Sequence, residues 1–334
     1  MPISPNIPNL SELNAYLTGD VGAITIDGNE PIYAHNIADM AEEHLVSPTV
    51  RANIGVTPLP TIGKVCPELF CSQDYIGIEL ELEKISHIDL QDMLGDRWEV
   101  VRENSLKMNG NELRFNGALC GSHIIDALDT LQRTFKKLSI TPYTAGNRGS
   151  THITINIGDM TLAELYNFIF LSYFCEPLLL QMCNKDRGNN SFAIGVSRTK
   201  DAKFILDRVA KGYLDFDTNY FKYRAIGLNS IFTKGGLEFR MFHATSSTPQ
   251  LLEWINFIQE MKDIAGRKKT KSTVMSCMEQ GLDKTLKKLF GRDMEVTHKA
   301  SGQMWDFVRE FTHNPIEDMP MNPSISEFYK KVWR

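Results

Sequence analysis

The chain has 334 residues, 42% of them hydrophobic and 23% charged, a composition suited to one large globular domain or two small ones. Its 36 Lys and Arg against 41 Asp and Glu leave a net charge of −5, which argues against a general electrostatic partnership with nucleic acid. Eighteen Phe, 10 Tyr and 4 Trp can fill a substantial core, which excludes a disordered chain.

The opening MPISPNIPNL has neither a basic n-region nor an apolar h-region, so no signal peptide is expected and the cytoplasm is the expected compartment. Eight of the 14 prolines fall in the first 67 residues, which predicts an irregular N-terminal arm over 1–70. Cys66 and Cys71 form a lone C-x4-C with no second pair. That spacing signals zinc only weakly, and the six cysteines are expected as free thiols.

From Tyr75 the pattern alternates strands with amphipathic helices. Ile125, Leu128, Leu131, Phe135 and Leu138 recur at helical spacing, with Lys136 and Lys137 in the last turn. Thr161 and Glu164 have the spacing of a capping box, opening an apolar helix that Pro177 should kink or end. The apolar stretch Leu162 to Cys183 contains Glu164, Asn167, Glu176 and Pro177, which fits a buried helix better than a membrane span. Further helices are predicted over Asp201–Lys211, stopped by Gly212, and from Thr248-Pro249 to about Ala265. Beyond Gly266, helical patterns recur around Thr273 to Phe290 and Ser301 to Phe311, a helical extension over 266–334. The Arg267-Lys268-Lys269 cluster reads as its solvated boundary.

Four segments carry charge on one phase of a strand. In Ile76–Glu83 the acids Glu79, Glu81 and Glu83 share a face opposite Ile78, Leu80 and Leu82. Glu112 and Arg114 oppose Leu113 and Phe115. His152, Thr154 and Asn156 oppose three isoleucines, and Glu238 and Arg240 oppose Leu237, Phe239 and Met241. These predict one antiparallel sheet with helices on its apolar face and an open polar face, an α+β fold. Same-face carboxylates on a strand lie about 6.5–7 Å apart, and like charges directly across strands destabilise the sheet. Water, protonation or bound cations can relieve that. Hard oxygen donors with one imidazole suit Mg²⁺ or Mn²⁺, and arginines on the same face suit phosphate.

On these residues the chain resembles the amidoligase family of the carboxylate–amine ligase superfamily, over about Tyr75 to Ala265. GIELELE resembles the family's opening Gly-x-Glu-x-Glu strand, WEVVRENSL a segment in which Glu103 stands for the usual Asp, and NELRFNGAL the next acid-bearing strand. YRAIGLNSIF with GGLEFRMFHAT resembles paired strands ending in Glu-Phe-Arg. RGSTHITIN resembles a His-x-His strand, with Thr154 in place of the second histidine.

The resemblance implies a catalytic domain over 71–265 like that of glutamine synthetase, with a curved, mainly antiparallel sheet. It also implies ATP-dependent joining of a carboxylate to an amine through an acyl phosphate. Glu79, Glu81, Glu112, His152 and Glu238 would hold two or three Mg²⁺ or Mn²⁺ ions. Arg240, His152 and Glu103 would face the nucleotide, with Arg240, Arg224 and Arg148 as catalytic candidates. The implied partners are small-molecule or peptide carboxylates and amines, with no nucleic acid and no membrane, and a homo-oligomer would match the family's habit. Two alternatives use the same residues: a metal-dependent phosphotransferase of the superfamily, and a degenerate ligase fold kept as a binding module. The loops 141–150 and 184–190 are polar and could cover the site.

Overall fold

The computed structural model describes residues 24–25, 31–32, 74–83, 90–103, 106, 110–142, 149–158, 160–183, 187, 190–199, 201–214, 216, 221, 223–266 and 270–312. Within the N-terminal arm only β1 (Ile24–Thr25) and β2 (Pro31–Ile32) are described, as an antiparallel pair. Cys66, Cys71, Arg148, the Arg267-Lys268-Lys269 cluster and most of the two candidate cover loops lie outside the described residues.

Alternation of apolar and polar side chains makes the sheet. β3 (Ile76–Leu82) buries Ile76, Ile78, Leu80 and Leu82 and leaves the intervening Gly77, Glu79 and Glu81 partly exposed. It pairs on one side with β5 (Asn111–Phe115) and on the other with β6 (Ser150–Asn156). β4 (Trp98–Arg102) adds to the outside of β5, and β8 (Gly236–His243) adds to β6 and takes the two-residue β7 (Ile226–Gly227) as its outer neighbour. The order is β4-β5-β3-β6-β8-β7, with every neighbouring pair antiparallel. The chain is therefore α+β, with a six-stranded antiparallel sheet.

The β6–β8 ladder carries an irregularity that matters below. Thr151 pairs with Phe242, yet Ile153 pairs with Phe239, so Arg240 and Met241 together oppose His152. This is a β-bulge with the extra residue on β8. It flips the phase of the strand. Glu238 and Arg240 share the polar face with His152, while Phe242 is returned to the apolar side, where it stacks on Trp254 at 4.4 Å between ring centroids.

The helices α1 (Leu90–Leu94), α2 (Ser122–Lys137), α3 (Leu162–Gln181) and α7 (Thr248–Ala265) line the apolar side of the sheet, with α4 (Val196–Thr199), α5 (Ala202–Ala210) and α6 (Ser230–Lys234) in the connection between α3 and β8. α3 opens with the expected capping box: the Thr161 hydroxyl accepts from the Glu164 N–H at 3.2 Å, and the Glu164 carboxylate accepts from the Thr161 N–H at 2.7 Å. It does not end at Pro177. The helix continues to Gln181 and buries Leu178 and Leu179. A helix-interior proline costs about 3 kcal/mol, whereas burying two leucines contributes about 1.5–3 kcal/mol each, so packing carries the helix across.

α3 is enclosed on both sides. Phe168 meets Phe239 of the sheet at 6.0 Å between centroids, and Phe170 meets Phe307 and Phe311 at 5.3 and 5.5 Å. Two residues are about 200° around a helix, so these rings point to opposite sides. Phe307 and Phe311 belong to α10 (His298–Thr312), which follows α8 (Thr270–Met278) and α9 (Leu282–Phe290). One helical stretch was expected over 273–290; Gly281, with φ 105°, divides it into two. The helices after Gly266 thus share one continuous core with the sheet rather than standing apart from it. Among the described residues no helix is long and apolar enough to cross a membrane.

Truncating Phe170 to Ala should cost about 3–5 kcal/mol of stability, measured by urea unfolding, because its ring is filled against from α10 and cannot be replaced by water. A loss below about 1 kcal/mol would show that α10 docks too loosely to share the core.

Candidate functional site

The polar face of the central strands gathers the candidate side chains. Glu79 stands opposite His152 on β6, Glu81 opposite Ser150, and Glu81 also opposite Glu112 on β5. The His152 ring is buried, with Nδ1 3.3 Å from Glu79 Oε2 and Nε2 2.9 Å from Ser150 Oγ and 3.7 Å from Glu81 Oε2. The Ser150 hydroxyl donates to Glu81 in turn. Glu238 reaches the same centre from β8, only 2% exposed, and accepts from Arg240 Nη1 at 3.1 Å. Glu79, His152 and Glu238 each offer a ligand atom within 4.8 Å of the others.

Lys234 completes the cluster, and nothing in the strand pattern announced it. It ends α6, a single turn closed by Gly235 in the left-handed region at φ 62°. The Ser230 hydroxyl ties that turn down by donating to the carbonyls of Gly227 and Gly236 at 2.7 and 2.8 Å. The Lys234 ammonium lies between two of the acids, donating to Glu79 and, at 3.1 Å, to Glu238.

The charges set the proton affinities. Burial alone would raise the Glu79 carboxyl, but the hydrogen bond with His152 and the Lys234 charge hold it well below the usual range. Burial likewise opposes ionisation of Glu238, and Arg240 and then Lys234 outweigh it. For Glu112 the help from His152 and Arg114 is outweighed. Burial first, then the charges of Glu79 and Glu81, push it up to about 7, and Arg114, 4.0 Å away, donates at 2.8 Å to Glu99 instead.

Two backbone features hold this arrangement. Gly227 lies across from Glu238, and a Cβ there would sit 2.8 Å from Glu238 Oε2, so a side chain at this position would have to push the carboxylate off its Arg240 and Lys234 partners. The bulge is held by Arg187, which is buried and donates from Nη2 to the Arg240 carbonyl at 3.0 Å, from Nε to the Met241 carbonyl at 2.9 Å and from Nη1 to the Gly149 carbonyl at 3.3 Å. The Arg240 and Met241 carbonyls belong to the two bulge residues, where regular ladder pairing is interrupted. Arg187 lies in the run 184–190, which the sequence suggested as a polar connecting loop or a cover for the site.

The other candidates fall further off. Arg224 is buried, donates to Asp201 at 2.5 Å, and acts electrostatically on Tyr173 and Glu176 of α3, on the helix side of the sheet. Glu103 follows β4 at the outer edge, its N–H donating to the Gly110 carbonyl at 3.1 Å. Three strand spacings, about 14 Å, separate β4 from the strand of His152, with which Glu103 was expected to face the nucleotide.

Glu79, His152 and Glu238 have the oxygen and imidazole donors that could hold a divalent cation. Donors about 2.1 Å from an octahedral Mg²⁺ are at most about 4.2 Å apart, so the three donor atoms, now within 4.8 Å of one another, would draw slightly closer around an ion. A cationic group, the Lys234 ammonium, already lies between two of them. Glu81 and Glu112, expected with these three to share two or three ions, are one rung along, where Glu81 accepts a hydrogen bond from Ser150 and Glu112 has a raised proton affinity. No known family model matches this chain, and no curated protein matches it.

Two outcomes follow from this geometry. Folding raises the proton affinity of Glu112 from an ordinary 4.5 to about 7, so its ionisation opposes folding and stability should fall as pH rises through that window. In chelated buffer, the stability of Glu112→Gln relative to the parent chain should rise from pH 4.5 to 7; a pH-independent difference would show that folding leaves the Glu112 proton affinity unchanged. Gly227→Ala should destabilise by about 1–3 kcal/mol through the collision with Glu238, measured by thermal or urea unfolding, and an unchanged transition would mean that the carboxylate moves aside freely.

Proposed function

We propose that the chain is an ATP-dependent carboxylate–amine ligase, built on a sheet of the glutamine synthetase type. In this reaction the terminal phosphoryl group of ATP moves to a carboxylate oxygen and ADP leaves. The amine nitrogen then forms a bond to the carbonyl carbon as inorganic phosphate departs, leaving an amide. The observation that carries the proposal is the convergence, from three non-consecutive strands, of Glu79, His152 and Glu238 beside Arg240 on one polar face. The order of GIELELE, NELRF, THITIN and GLEFR along the chain, which resembles that of the amidoligases, supports it.

Glu79, His152 and Glu238 would hold a Mg²⁺ or Mn²⁺ ion, which supplies charge neutralisation to a triphosphate when bound. The chain's own residues do the rest. Arg240 is held by Glu238, and its Nε is buried without a partner, a donor available to an incoming oxyanion. Arg187 fixes the bulge that aims Arg240 at the polar face. Glu112, with a proton affinity near neutrality, can give or take a proton at the edge of the cluster. Arg148 remains a candidate for phosphate by resemblance alone, and Arg224, committed to Asp201, is assigned to the fold rather than the reaction.

The test is phosphate release from ATP with Mg²⁺ and mixed pools of carboxylates and amines. Release should require both pools, and Glu238→Ala or Arg240→Ala should lower it by about 100-fold or more while the protein stays folded. Release that ignores the amine would replace the ligase with a phosphotransferase. No turnover, and no thermal shift with ATP and Mg²⁺, would leave a binding module.

A further inference from the structure

The cation that lies among the acids is part of the chain. Lys234 bridges Glu79 on β3 and Glu238 on β8, two of the three groups that would hold a divalent ion. Each carboxylate has one oxygen toward the ammonium and the other toward a second partner, His152 for Glu79 and Arg240 for Glu238. A divalent ion held by these three groups would draw on the same two carboxylates that Lys234 now bridges. Two cations cannot both be held at full strength by one pair of carboxylates.

We propose that Lys234 is a tethered counter-ion that competes with the divalent cation, so that metal enters by displacing its ammonium. The proposal rests on the metal site inferred above and adds to it a device that sets when the site loads. Three features support displacement over permanent occupation. Lys234 is one-third exposed, far more than Glu238, so its ammonium has a path to water. It sits at the last position of a single-turn helix, before a left-handed glycine, where its four-carbon stem can swing without moving β8. The turn itself is anchored by Ser230 through its other end, so the tether survives the swing.

The chemical consequence is a site that is never left as bare like charges. Without metal, the ammonium relieves the repulsion of Glu79 and Glu238; with metal, it is freed on the rim of the same face, beside the place where a phosphate would bind. Loading by metal and recruitment of an anion would then be linked, each favouring the other.

Mn²⁺ binding measured by electron paramagnetic resonance tests this without relying on turnover. Lys234→Met should bind Mn²⁺ about 10- to 100-fold more tightly than the parent chain, the range expected for removing a competing charged hydrogen bond. Its metal-free melting temperature should fall and its rise on adding Mn²⁺ should be the larger of the two. Lys234→Arg, which keeps the charge, should bind within about threefold of the parent, a result a purely structural role for Lys234 would not give. Equal affinities for the parent and a folded Lys234→Met would overturn the competition while leaving the metal site standing. Absence of Mn²⁺ binding to either folded protein would overturn the metal site itself, and the competition with it. If Lys234→Met does not fold, Lys234→Gln is read by the same criteria.

Discussion

Like charges confined to one face of a sheet repel, and how this protein relieves that repulsion governs the rest of its structure. Glu79, Glu112 and Glu238 lie on three strands of the sheet, in places where desolvation alone would favour the neutral acids. The relief is uneven. Glu79 and Glu238 are compensated by His152, Lys234 and Arg240 and stay ionised, while Glu112, whose arginine neighbour is engaged by Glu99, takes the burden as a raised proton affinity. A face divided into an ionised half and a half that titrates near neutrality has the separation of roles that acid–base and phosphoryl chemistry use.

Much of the scaffold could be read from the sequence because alternation is a local rule. Ile78, Leu80 and Leu82 against Glu79 and Glu81, or Ile153 and Ile155 against His152, need only a period of two to be placed. The same holds for α2, α5 and α7, whose ends were marked by lysines, Gly212 and Pro249. What could not be read depended on non-local contacts. Lys234 lies on a five-residue helix between two strands, too short to have a period, and its partners are fixed by the fold. The bulge opposite His152 is invisible in GLEFRMFH, because a strand that skips one pairing has the same residues as one that does not. Arg224 illustrates the reverse: an arginine beside a strand looks available for phosphate until Asp201, from the start of α5, is seen to hold it.

The ends of α3 show the same division. Its start was legible, since a capping box is written in four consecutive residues. Its passage through Pro177 was not, because the aromatic and leucine contacts that outweigh the missing hydrogen bond come from Phe239 on one side and α10, more than a hundred residues later, on the other.

That late arrival has a consequence for biosynthesis. A chain leaving the ribosome can pair β3 to β6 as they emerge, and β8 closes the sheet soon after α3. Until residues 307 and 311 clear the exit tunnel, however, Phe170 and its neighbours present an uncovered oily stripe. The nascent polypeptide would therefore carry a sticky helix face from the emergence of α3 until α10 follows it, an interval in which aggregation competes with folding.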